Sequence, residues 1–152
     1  MTLSFAKFKA TDFPEYRSWY DDPELNKHLG PPVDQEWLDY VIAETDGCQY
    51  SVFDDGELVA VVGIKFPDAV HPAYTVTDIA VKPQLRERGI GSQVIADLIE
   101  LHKLKPGQLW AAFVSVNNPR ARSFLEKRGW VCKCETPNEY GMLEFSFGNP
   151  DI

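Results

Sequence analysis

No stretch of this 152-residue sequence approaches the roughly 20 consecutive apolar residues that a membrane span requires. The opening run, Met1 to Lys7, has no apolar core followed by a small-residue cleavage site, so it does not read as a secretory signal. A cytoplasmic location without membrane contact is therefore expected. Cysteine is scarce as well. The three residues Cys48, Cys132 and Cys134 are an odd set, which argues against a disulfide framework. Cys132 and Cys134 alternate within an apparent strand and would face one side. A metal would need two more ligands, and His28, His71 and His102 have no ligand spacing. No metal site is expected, and the thiols are read as reduced and structural. A basic stripe is also missing, which speaks against a nucleic-acid partner.

What is present is an uneven charge. Residues 1–60 hold 13 acidic and 4 basic residues, a net of −9, whereas residues 61–152 hold 10 acidic and 11 basic, a net of +1. An acidic half suits a cationic ligand and a basic half an anionic one. Acidity that only keeps the chain soluble is the plainer reading of charge by itself. Hydrophobic residues at 44% and charged residues at 25% match an ordinary globular chain. The length fits one domain, residues 1–152, with one core.

Hydrophobic periodicity gives the order of elements. Residues 3–9 alternate as a strand. Thr11-Asp12-Phe13-Pro14-Glu15 opens a helix to about Tyr20, Asp22-Pro23-Glu24 a second, and Asp34-Gln35-Glu36 a third with Trp37, Leu38, Val41 and Ile42 at helical spacing. Cys48 to Phe53 and Glu57 to Phe66 are strands joined by the hairpin signal Asp54-Asp55-Gly56. Tyr74 to Val81 is another strand. A helix follows from Gly89 to about Leu104, its apolar face carrying Ile90, Val94, Ile95, Leu98, Ile99 and Leu101. Leu109 to Val116 is a strand, Asn118-Pro119 caps a helix that Gly129 stops, and Trp130 to Glu135 and Met142 to Phe147 form a closing pair. The fold class is α/β (α+β): a mixed, mostly antiparallel central sheet with a parallel β-α-β core and helices on both faces.

The segment from Asp78 to Ile95 carries the chemistry. A strand ends, a loop with Gly89 and Gly91 follows, and an amphipathic helix begins. A helix start offers free N–H groups and partial positive charge to a phosphate. Glycine removes the Cβ where a pyrophosphate approaches the backbone, and Arg86 and Arg88 add positive charge. Gly89-Ile90-Gly91 lacks the third glycine of a dinucleotide fingerprint and the lysine of a P-loop. An ordinary turn into a helix would look the same.

Two blocks together are more specific. Arg86-x-x-Gly89-x-Gly91 after Ile79-Ala80-Val81 resembles the coenzyme A pyrophosphate loop of the GCN5-related N-acetyltransferases. Asn118 to Trp130, with Asn118, Ala121 and the Gly129-Trp130 pair, resembles that family's last helix. The resemblance implies the acyl-CoA N-acyltransferase fold and acetyl-coenzyme A as co-substrate, with no metal. It implies that backbone groups of Ile79, Ala80 and Val81 bind the pantetheine arm. Arg86, Glu87, Arg88, Gly89, Ile90, Gly91 and Ser92 would line the pyrophosphate, and Asn118 would contact the arm. Many members place a thiolate-protonating tyrosine where this chain has Leu125, and the ribosomal-protein acetyltransferases place a glutamate base where it has Phe113.

The acid–base residues are therefore open. Asp78 is the nearest acid to the strand, with Glu144 a second candidate base. Tyr140 is the candidate proton donor, alongside Tyr74 and Ser115. Trp19, Tyr20, Asp21, Asp22, His28, Trp37 and Tyr140 are expected around the acceptor, and their aromatic and acidic character suits a cationic amine. The expected activity is N-acetylation of an amine-bearing small molecule. A peptide or protein N-terminal acetyltransferase and a non-catalytic coenzyme A-binding module are the alternatives. Either a monomer or a homodimer fits.

Overall fold

The computed structural model describes residues 2–148. It resolves into two compact units. Among the described residues, the first comprises residues 2–64 and 78–101, the second residues 65–77 and 102–148.

The first unit opens with β1 (Leu3–Lys7). A 3-10 turn at Ala10–Asp12 leads into α1 (Phe13–Ser18), and a second at Trp19–Asp21 follows it. The helix expected to run unbroken to Tyr20 is thus one short α-helix between two tighter turns. α2 (Pro23–Leu29) and α3 (Gln35–Ala43) start as their sequences dictate. Asp22 accepts a hydrogen bond from Leu25 N at 3.0 Å, and Asp34 accepts one from Trp37 N at 2.9 Å. α3 turns Leu38 and Val41 inward, whereas Ile42, expected on the apolar face, is exposed.

β2 (Gly47–Asp54) and β3 (Glu57–Lys65) are joined at Asp55-Gly56. Both turn residues have positive φ, 50° and 81°, as the twist-matched two-residue hairpin turn requires. β1 runs antiparallel to β2, pairing Leu3 with Asp54 and Lys7 with Tyr50. β4 (Tyr74–Val81) passes from the second unit into the first at Asp78. The strand order in the first unit is β1-β2-β3-β4. α4 (Ile90–Leu101) buries Ile90, Val94, Ile95 and Leu98 and leaves Leu101 exposed.

The core of this unit combines aromatic and aliphatic side chains. Phe8, Tyr16, Trp19 and Tyr20 pack with Leu25, Val33, Leu38, Val41, Leu58, Val61 and Ala80. Phe8 meets Tyr16 and Trp37 edge-on at 5.8 and 5.2 Å. Such pairs contribute about 0.5–1.5 kcal/mol each beyond their buried area.

The second unit holds β5 (Trp110–Ser115), α5 (Pro119–Glu126), β6 (Val131–Cys132) and β7 (Met142–Phe147), in the strand order β4-β5-β7-β6. β4 and β5 are parallel, as the β-α-β pattern predicts, and β5–β7 and β6–β7 are antiparallel. The fold is thus a mixed, mostly antiparallel α/β architecture. β6 has only two residues where six were expected. Trp110 is fully buried and stacks on Tyr74 at 4.9 Å, and Trp130 stacks on Phe147 at 5.7 Å. Among the described residues, no helix is long and apolar enough to cross a membrane.

Candidate active site

Strand alternation sets the site. On β4, Asp78 and Ala80 share one face, and Ala80 packs into the aromatic core of the first unit. Asp78 therefore projects toward α1 and α3. Gln49, a buried polar residue on β2, donates from Nε2 to Asp78 Oδ2 at 2.7 Å. The bond fixes the carboxylate and occupies one of its two oxygens.

Asp78 lies at a cleft of about 320 Å³. Tyr16, Tyr20 and Trp37 form aromatic walls, and Asp34 adds a second carboxylate at the start of α3. The segment from Leu29 to Val33 closes one side. Arg17 of α1 donates to the Val33 carbonyl and holds that segment in place. Inside the cleft wall, the hydroxyls of Tyr16 and Tyr20 are 3.0 Å apart.

Of the residues expected around an acceptor, Tyr20 and Trp37 line the cleft. Trp19 is core at 3% exposure, and His28 and Asp21 lie at the surface. Tyr16, Asp34 and the Pro31-Pro32 wall were not anticipated. The spacing of Tyr16 and Tyr20, four residues apart before a proline-rich turn, was the available signal.

The glycine loop follows β4 directly. A 3-10 turn at Pro83–Leu85 leads to Glu87 and Gly89, both left-handed at φ 64° and 77°. Gly89 O accepts from Gln93 N at 3.1 Å, so α4 begins there, and Ile90, Gly91 and Ser92 form its first turn. Open space surrounds the position a Cβ would take on Gly89. The loop thus presents a helix start with a clear approach, which fits a pyrophosphate. Arg88 is exposed beside it. Arg86 points elsewhere. Its Nη2 donates to Asp22 Oδ2 at 2.6 Å, and Nη1 lies 3.5 Å from Glu24. The hydrogen bond from Arg86 holds the Asp22 carboxyl below the usual aspartate range and raises the guanidinium in turn.

The parallel ladder of β4 with β5 covers Tyr74 to Val76, while β4 itself continues to Val81. Lys82 N returns to Val59 O at 2.9 Å on the β3 side. Ile79, Ala80 and Val81 thus lie beyond the ladder with β5.

The remaining candidates lie in the second unit. Asn118 caps α5, its Oδ1 accepting from Ala121 N at 3.1 Å. Tyr140 is 80% exposed in the turn before β7, with its N–H bonded to Asn138. Glu144 stands opposite Phe113 in the β5–β7 register and lies 3.5 Å from Lys133 Nζ. Ser115 accepts from Asn117 N, and Leu125 is buried in α5. All three cysteines are free. Among the described residues, no group of three or more His, Cys, Asp or Glu is placed to hold a metal.

The fold has well-matched counterparts among solved structures. An acetyltransferase from Thermus thermophilus superposes with a TM-score of 0.80 at 17% identity, covering 97% of both chains. An aminoglycoside acetyltransferase in complex with coenzyme A gives 0.78 at 14% identity, covering 96% of this chain and 94% of that one. A spermidine N-acetyltransferase from Vibrio cholerae, in complex with coenzyme A and spermine, gives 0.74 at 15%, covering 95% and 92%. At these identities the likeness is one of fold. No curated protein matches the chain in sequence. The sequence model of the acetyltransferase (GNAT) family matches residues 13–130, which include both the glycine loop and the Asn118 block, and the chain belongs to that family.

Proposed function

We propose that this protein transfers the acetyl group of acetyl-coenzyme A to a primary amine of a small cationic molecule. Family membership makes it an acetyl-coenzyme A-dependent acyltransferase. The cleft beside Asp78 carries the choice of acceptor: three aromatic walls with two carboxylates attract an ammonium by charge and cation–π contact. Solved relatives of the same fold, named for spermidine and aminoglycoside acetylation, support an acceptor of this class.

In this reading the pyrophosphate sits on the first turn of α4, held by the amides around Gly89 to Ser92 and by the charge of Arg88. The pantetheine arm runs along the backbone of Ile79 to Val81 as an added strand. That course brings the thioester close to Asp78. An ammonium must lose a proton before it attacks, and Asp78, held by Gln49, accepts it. The carbonyl is polarised by backbone N–H near Val81.

Isothermal titration with acetyl-coenzyme A and free coenzyme A, followed by acetylation assays on spermidine, kanamycin and a short peptide, tests the reading. Micromolar coenzyme binding with acetylation of the polycations is expected. Folded protein without coenzyme binding overturns it, and acetylation of the peptide alone moves the function to N-terminal acetylation.

A further inference from the structure

Two carboxylates line the cleft, Asp78 on β4 and Asp34 at the start of α3, and among the described residues no lysine, arginine or histidine lines it. The two acids are held differently. Asp78 is half-buried and accepts from Gln49 Nε2. Asp34 is exposed, which puts it at the rim. Its Oδ1 accepts from Trp37 N at 2.9 Å, and no other group among the described residues pairs with this carboxylate. The chain is fixed on both sides of it. Val33 is buried in the core, and its carbonyl accepts from Arg17. The Trp37 ring meets Phe8 edge-on at 5.2 Å and stacks on Phe13 at 6.3 Å. Leu29, Pro31 and Pro32 add apolar wall.

An acceptor with a single charge uses only part of this lining. Its ammonium gives a proton to Asp78 before it attacks, and the neutral amine has no charge left for Asp34. A second ammonium, away from the reacting nitrogen, stays charged through the transfer and in the amide product. We infer that Asp34 is a specificity residue that pairs with this second ammonium, so that the acceptor class is an aliphatic di- or polyamine. This rests on the acetyl transfer proposed above. The reacting amine lies inward at Asp78, the methylenes lie along the apolar wall, and the second ammonium stands at the rim between the Asp34 carboxylate and the Trp37 ring. That contact is the same before and during transfer, so it lowers KM and leaves kcat alone.

The test compares the parent with Asp34→Asn. Asparagine also caps a helix, so α3 should persist, and melting curves check that it does. Acetylation of putrescine and spermidine is measured beside butylamine, which has the putrescine chain with one amine. In the parent, KM should be lower for both polyamines than for butylamine. Asp34→Asn should raise KM for the polyamines roughly fivefold, as expected for an exposed ion pair, with kcat and the KM for butylamine unchanged. High salt should narrow the gap between parent and variant for the polyamines alone. Equal rises in KM for all three amines, a polyamine KM that does not move, or a fall in kcat in place of a rise in KM overturns the role of Asp34 and leaves acetyl transfer to amines standing. A parent that acetylates none of the three amines overturns both.

Discussion

Arg86 Nη2 donates to Asp22 Oδ2 at 2.6 Å, and the same carboxylate oxygen accepts from Leu25 N at 3.0 Å. One side chain thus caps α2, which ends at the cleft wall, and holds the first residue of the glycine loop. The cleft wall and the glycine loop of the first unit thus share a tether.

Asp22→Asn separates the two roles. Asparagine caps a helix as well as aspartate does, so α2 should persist. The charge on Arg86 loses its partner, and KM for acetyl-coenzyme A should rise roughly two- to fivefold, as expected for a partly exposed pair. High salt should narrow the difference between parent and variant. The sign with pH is set by the direction of the shift. A carboxyl held below its ordinary value contributes fully above the ordinary aspartate range and loses that contribution only as pH falls through the lowered value. The tether is therefore intact at neutral pH, which activity and melting curves between pH 3 and 7 would check.

Gly89→Val targets the loop backbone. A Cβ there meets nothing, so the expected cost comes from φ +77° and not from a clash. A β-branched residue resists that conformation by about 1–2 kcal/mol. The loop should relax away from its helix-start geometry, and titration should show acetyl-coenzyme A affinity reduced about tenfold or more. The melting temperature should fall by only a few degrees, about 2–4 °C per kcal/mol of strain in a domain of this size.

Asp78→Asn should lower kcat by roughly 100-fold while leaving KM for acetyl-coenzyme A near the parent value. Gln49→Leu should lower kcat by a smaller factor, since the carboxylate remains but is no longer fixed at 2.7 Å. A Gln49→Glu variant sets two carboxylates against each other and should be the less stable of the two. Steady-state kinetics and melting of the three proteins would check this order.

His102 gives the second unit a stability that depends on pH. Its ring lies among Phe66, Tyr74 and Trp110, and burial holds its pKa below the ordinary histidine value. The folded protein then binds the proton less well than the unfolded chain. This contribution to stability is full above the unfolded value and declines as pH drops from there toward the lowered one. Melting temperature should fall from pH 7.5 to pH 5, and His102→Phe should flatten that fall.

Most elements are legible in the chain because each one punctuates itself. Asp22-Pro23, Asp34-Gln35 and Asn118-Pro119 announce helix starts, and Asp55-Gly56 announces a turn whose two φ values only such residues adopt readily. The glycine loop was equally readable, since a helix start needs no distant partner. The cleft was not. Arg86 and Asp22 are 64 residues apart in sequence, and Gln49 and Asp78 are 29 apart, so nothing local signals either pair. Trp19 and Tyr20 look alike in sequence and both pack into the core, yet only Tyr20 also lines the cleft. The break from α1 into a 3-10 turn decides which ring faces which way, and propensity does not specify it. β6 ends at Cys132, although Lys133 N still bonds Glu144 O at 2.9 Å at the next position of the register with β7.

Trp37 lies in the cleft wall and is partly exposed, while Trp19, Trp110 and Trp130, the other three of the four tryptophans, are buried. The molecule thus carries its own optical reporter. An amine seated against Trp37 changes the surroundings of one indole and leaves the rest as a constant background. Quenching of intrinsic emission then follows acceptor occupancy without a label, and Trp37→Phe removes that signal.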